Sequence, residues 1–275
     1  MTSKEIDHSH EMPRSGAPPI GGEATQSAKH AAAFSPSVAE YEARLAAARQ
    51  RFDQHRAVAA LFRDKLDPET FEAFLIYFSA LGVGMTEPVE GWIRGAGNRC
   101  GELGLAKLAK ALDAHAGQEA DHHLLMIADV RWLVDHWNVD RQPKLSAGAL
   151  LAMEPTNGVL AYRHVHEDVI GGIAPYGQLA IEFEIEMLSV TYGARLIERC
   201  TEACGGSVLE GLSFLSDHVT LDVGHTHFNR LQLSSLLDEN PSFLSNLVSA
   251  GSAALDAYAM FLDDCLDLAR RRLLS

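Results

Sequence analysis

Ser216-Asp217-His218-Val219-Thr220-Leu221-Asp222-Val223-Gly224-His225-Thr226-His227 is the stretch on which the reading of this chain turns. His218, Asp222 and His225 stand at i, i+4 and i+7, so on a helix they project at about 0°, 40° and −20° from one stripe. Two imidazoles and a carboxylate on one face suit a borderline transition metal. The neighbours Leu215, Val219, Leu221 and Val223 predict a helix buried on more than one side. Buried His and Asp need partners, and a metal ion supplies them. Taken alone, the stretch could equally be a wet helical face.

Working outward, Glu119 and His122 lie at i, i+3 in Ala116-Gly-Gln-Glu-Ala-Asp-His-His123. Glu-x-x-His is the spacing by which bundle helices aim ligands at a di-iron centre. His115 shares that face and reads as a group behind the ligands, whereas His123 points elsewhere. A third helix carries Ile181-Glu-Phe-Glu-Ile-Glu-Met-Leu188, where Glu186, then Glu182, is the preferred ligand in an otherwise apolar surrounding. At least one of its three glutamates is expected on the exposed side. Glu87 and Glu90 are weaker candidates for a further carboxylate. Three His (His122, His218, His225) and three carboxylates (Glu119, Glu186, Asp222) are too many, and too rich in oxygen, for one structural zinc.

The rest of the chain supports a helical bundle. It has 275 residues, 47% of them hydrophobic and a formal net charge of −14, which disfavours nucleic acid and anionic membranes as partners. Nine of its 13 histidines fall between positions 115 and 227, which marks that region for chemistry. Cys100, Cys200, Cys204 and Cys265 fit no disulfide scaffold. The first 30 residues lack an apolar signal segment, and Ala73 to Thr86 is shorter than the roughly 18 residues a membrane span needs. A soluble, cytoplasmic protein is expected.

Residues 1–36, with Pro13, Pro18, Pro19, Gly21 and Gly22, read as a disordered tail, and residues 37–275 as one helical domain. Ser37 to Glu40 has the form of a capping box leading into a helix that runs to Leu66. Asp67-Pro68 starts a second helix, with Gly82 as its stop. Further helices are expected over 87–95, 102–136, 175–204, 207–237 and 241–272, and no alternating β pattern appears. The fold class is all-α, a single-domain bundle.

In order and spacing, Glu119-x-x-His122, Glu186 and His218-x-x-x-Asp222-x-x-His225 resemble the ligand signature of the haem-oxygenase-like di-iron oxidases and oxygenases. The resemblance spans about residues 40–272. It implies a seven-helix-type bundle that holds two Fe ions, uses O2 as co-substrate and draws on an external electron donor. It also implies oxidation of a small-molecule substrate in a specialised biosynthetic pathway. N-oxygenation or desaturation of an amine or amino acid is the first choice and fatty-acid decarboxylation the second. A homodimer is the family habit. Alternatives are a ferritin-like di-iron protein, haem oxygenase proper, and a metal-free thiaminase-like helical enzyme. Arg94, Arg99, Arg131, Arg163 and Arg195 are the candidate grips for a substrate carboxylate.

Overall fold

Burial on every side marks the middle of the molecule. The structure, a computed structural model, describes residues 35–63 and 66–272. The helices are α1 (Pro36–Gln54), α2 (Arg56–Phe62), α3 (Pro68–Thr86), α4 (Val89–Glu102), α5 (Ala106–Gln118) and α6 (His123–Asp140). They continue as α7 (Ala147–Leu151), α8 (Asn157–Gly171), α9 (Gln178–Leu188), α10 (Ala194–Cys204), α11 (Ser213–Glu239) and α12 (Leu244–Arg272). No strand occurs among the described residues. Nearly all of α3 is buried, as its all-round apolar sequence requires. It packs against α6 and α12, while α9 is clasped between α11 and α12.

The local signals explain most boundaries. Asp67 caps α3 by accepting from the Thr70 amide at 2.8 Å, with Pro68 at the first helical position. The capping box expected at Ser37 to Glu40 does not form. Pro36, its φ already helical, starts α1 one residue earlier behind Ser35, and Glu40 pairs with Arg44 instead. The helix expected over 37–66 breaks at His55, whose backbone is extended. Ser35 and Pro36 are the part of the expected tail that falls inside the described residues.

Two differences bear on the site. The single helix expected over 102–136 is two, α5 and α6, with Glu102 closing α4. A turn containing Gly104 at φ 81° separates α4 from α5, and residues 119–122 form a second turn before α6. Asp121 has φ 66° there, a left-handed conformation that Asp tolerates better than most residues. Glu119 and His122 therefore sit on a turn. The segment 175–204 is interrupted by one turn of π-helix, Ser189–Gly193, between α9 and α10. A Cβ on Gly193 would stand 2.5 Å from Val219 of α11, so only glycine lets the two helices approach this closely.

Helix α8 was not among the expected elements. His164, His166 and the β-branched Val159, Val165, Val169 and Ile170 weaken its helical signature. Thr156 caps it, and Gly158 crosses α12 so tightly that a Cβ would lie 2.4 Å from the Phe261 amide nitrogen. The burial expected of Leu221 and Val223 is also not observed. Both are exposed, so α11 buries one stripe, the one that carries the ligand candidates.

Candidate metal centre

Four chain segments deliver the polar residues to one place. His115 comes from α5, Glu119 and His122 from the turn after it, Glu182 and Glu186 from α9, and His218, Asp222, His225 and Asn229 from α11. The entry of α11 is fixed by Asp129 of α6. Its buried carboxylate accepts from the amides of Ser213 (2.8 Å) and Phe214 (3.0 Å) and from the Ser213 hydroxyl (2.6 Å), capping the otherwise orphaned first turn. His218 lies one turn on. Its Nδ1–H donates to the Phe214 carbonyl at 2.9 Å, which fixes the tautomer and leaves Nε2 free.

The donor atoms fall into two groups. His115, Glu119, Glu186 and His225 each bring an atom within 4.8 Å of the others, and so do Glu119, His122 and His218. Glu119 belongs to both. Its Oε2 is 3.0 Å from His122 Nδ1 and its Oε1 is 3.1 Å from His225 Nδ1, so its two oxygens face different groups. Glu186 Oε1 is 3.0 Å from His115 Nε2, while its other oxygen accepts from Asn229 Nδ2 at 2.7 Å. Asp222 stands outside both groups, with Oδ1 3.5 Å from His225 Nδ1.

Several of these atoms are buried without a well-directed hydrogen bond: both ring nitrogens of His115, Glu186 Oε1, Asp222 Oδ1 and His225 Nδ1, which apart from His115 Nδ1 meet other imidazole or carboxylate atoms of the cluster at 3.0–3.8 Å. Poorly satisfied buried polar atoms are costly, and a cation held among them would offset that cost. The electrostatics agree. Burial pushes the Glu119 carboxyl up, but the contacts from His122 and His225 outweigh it and hold it well below the usual carboxylate range. His225 is pushed up to about 10 by Asp222 and then by Glu119. Burial lowers His115, yet Glu186 more than reverses this. Imidazoles that hold protons this firmly are surrounded by negative charge, which a divalent ion would neutralise in place of the protons. Imidazole and carboxylate without thiolate suit iron or a similar first-row metal, so the residues present fit a pair of such ions.

The three glutamates of α9 divide differently from expectation, since none is exposed. Glu184 turns to α1, where it accepts from Tyr41 (3.0 Å) and from both sides of the Arg49 fork (2.8 Å each). Glu182 is anchored by Gln178 at 2.5 Å, which in turn contacts His166, and burial pushes its carboxyl up to about 8. Glu87 is exposed and Glu90 pairs with Arg94, so neither reaches the centre. His227 is exposed as well. The residues that sequence reasoning missed are Asn229 and the full weight of His115. Asn229 continues the stripe of His218, Asp222 and His225 by four residues, and His115 precedes Glu119 by four.

A cavity of about 150 Å³ opens onto the centre. Glu119, Glu182, Glu186, His218 and Asp222 line one part, and Phe78, Met126, Phe214 and Phe261 are among its apolar walls. None of the five arginines proposed as carboxylate grips lines it. Arg94 and Arg99 are engaged in ion pairs, and Arg131 and Arg195 are exposed.

No family model matches the chain, and no curated protein is similar to it at a significant level. Among solved structures, a TenA homolog from Pseudomonas syringae pv. tomato str. DC3000 is 14% identical, with a TM-score of 0.63 over 85% of this chain and 94% of that one. A domain of unknown function with a haem oxygenase-like fold, from Shewanella denitrificans OS217, is 15% identical, with a TM-score of 0.62 over 84% and 92%. The fold is haem oxygenase-like. At these identities the likeness extends to the fold alone. The fold family includes enzymes. No described helix is long and apolar enough to cross a membrane.

Proposed function

We propose that the chain is a non-haem di-iron oxidase or oxygenase that uses O2 to oxidise a small organic substrate. One observation carries this reading: two groups of imidazole and carboxylate atoms share Glu119, one oxygen to each, at the end of an apolar cavity. When bound, a pair of Fe(II) ions supplies the O2-reducing chemistry that no side chain can, and an external electron donor returns it to the reduced state. Glu119, His122 and His218 would hold one ion, and Glu119, His115, Glu186 and His225 the other, with Asp222 beside His225. Asn229 and the Phe214 carbonyl set the directions of Glu186 and His218. The aromatic and aliphatic walls exclude water from the reacting atoms.

The TenA homolog keeps a second reading in view, a metal-free helical enzyme of thiaminase-like type. Such an enzyme needs an activated nucleophile. No cysteine lines the cavity, and burial pushes the Cys100 thiol up to about 12. Two imidazole–carboxylate groups sharing Glu119 also favour a metal pair over a metal-free site. Protein loaded with Fe(II) under nitrogen is expected to consume O2 only when iron is present. Turnover of a substrate by thoroughly iron-free protein would favour the metal-free reading.

A further inference from the structure

The cavity wall carries two phenol hydroxyls with nothing to bond. Tyr162 of α8 and Tyr258 of α12 both line it, with ring centroids 6.1 Å apart, and neither hydroxyl has a hydrogen-bond partner among the described residues. Tyr162 is only 4% exposed. The Ser189 hydroxyl on the wall likewise has no partner among the described residues, whereas three other polar side chains are engaged. The Thr86 hydroxyl donates to the Gly82 carbonyl at 3.1 Å, Tyr192 donates to Asp53 at 3.1 Å, and Glu182 accepts from Gln178. A phenol that faces a cavity without a protein acceptor is free to bond what the cavity holds, so the two tyrosines offer donors to a ligand atom. Burial raises both phenols above their ordinary value, which keeps them protonated donors.

Charge narrows the guest further. The wall contains no Lys or Arg, so a substrate carboxylate finds no counter-ion in the chain, and its carboxylates are those turned toward the metal centre. If those carboxylates hold a pair of divalent ions, an ammonium would be repelled. The remaining wall is hydrocarbon and aromatic, and an apolar cavity of about 150 Å³ holds a guest of roughly benzene size.

We propose that this cavity binds an uncharged, largely hydrocarbon molecule whose single oxygen acceptor, a ketone, ether or alcohol, is held by the hydroxyls of Tyr162 and Tyr258. The inference rests on the reading of the cavity as the active site and names the substrate class for it. It favours neutral molecules over the amino acids and fatty acids suggested by resemblance.

The test is calorimetric binding to full-length protein, both metal-free and loaded with Fe(II) under nitrogen. The probes are acetophenone, its hydrocarbon isostere ethylbenzene, benzoate and benzylamine. Acetophenone is expected to bind both forms roughly three- to tenfold more tightly than ethylbenzene, as one net hydrogen bond provides. Tyr162→Phe and Tyr258→Phe should erase that difference while leaving ethylbenzene unchanged and both ions in place. Preference for benzoate or benzylamine in both forms would overturn the proposal, as would Phe variants that weaken both neutral probes equally. Loss of iron binding with the ketone preference intact would sink the di-iron reading alone. Two bound irons without a ketone preference would sink only the substrate class.

Discussion

Replacing Glu119 by Gln removes one charge and little volume, and it should weaken both metal positions at once. In the wild-type chain Oε1 and Oε2 stand 3.1 and 3.0 Å from His225 and His122, so each oxygen serves one group. An amide nitrogen cannot ligate a cation, which leaves one group short of a donor. It also lowers the negative charge that both groups share. Removing even a supporting residue costs about 10- to 100-fold in metal affinity, so loss of a shared ligand should cost at least that at each position. Equilibrium dialysis of Fe(II) under nitrogen should therefore fall from two tightly held ions per chain to one or none. His122→Ala, which touches one group, should leave one ion bound. In the metal-free protein, Glu119→Gln leaves the protonated His122 and His225 with less compensation, and unfolding free energy at pH 7 should drop by about 1–3 kcal/mol. If Glu119→Gln holds two ions with unchanged affinity, the shared-ligand arrangement is wrong.

Three other outcomes follow from the same contacts. Asp129→Ala strips the cap from α11 and leaves two half-buried amides unpaired, so urea unfolding should show a loss of about 1–3 kcal/mol, together with weaker metal binding through a displaced His218. In metal-free protein, Glu182 is raised from 4.5 to about 8 and His225 from 6.5 to about 10. Both bind protons more tightly folded than unfolded, so stability should fall as pH rises from about 5 to 10. Glu182→Gln should flatten the lower part of that curve, and bound metal should reverse the trend; a metal-free protein that gains stability over this range would contradict these assignments. Gly158→Ala places a Cβ against the Phe261 backbone and should cost about 1–3 kcal/mol or more. Gly224→Ala meets no atom within 4 Å on an exposed helical face, and should raise stability by about 0.5–1 kcal/mol. Thermal unfolding separates the two.

Much of this arrangement is legible in the sequence because helical spacing is a strong local signal. His218, Asp222 and His225 fall on one stripe whatever surrounds them, and α11 is unbroken there. Asp67-Pro68 marks its helix start for the same kind of local reason. What local spacing cannot carry is the path of the chain between helices. Glu119 and His122 meet the same centre from a turn with Asp121 left-handed, where i, i+3 on a helix had been expected. The division of labour on α9 is tertiary too. Helical spacing sets Glu184 on the face away from Glu182 and Glu186, but that α1 covers this face with Tyr41 and Arg49 is a product of the fold. Helix α8, which brings Tyr162 to the cavity, is hidden by its β-branched residues and forms where packing on α12 outweighs propensity. His115 is on the right face in the sequence, but its proximity to Glu186, 71 residues later, is a product of the fold.

Anaerobic titration of the full-length chain with Fe(II), followed by iron counting and Mössbauer spectroscopy, tests the two-ion centre most directly. The account predicts two ions per chain in two distinct, nitrogen- and oxygen-ligated environments, magnetically coupled after oxidation through their shared ligand. A single ion, or iron that washes away from a chain that keeps its activity, would contradict it.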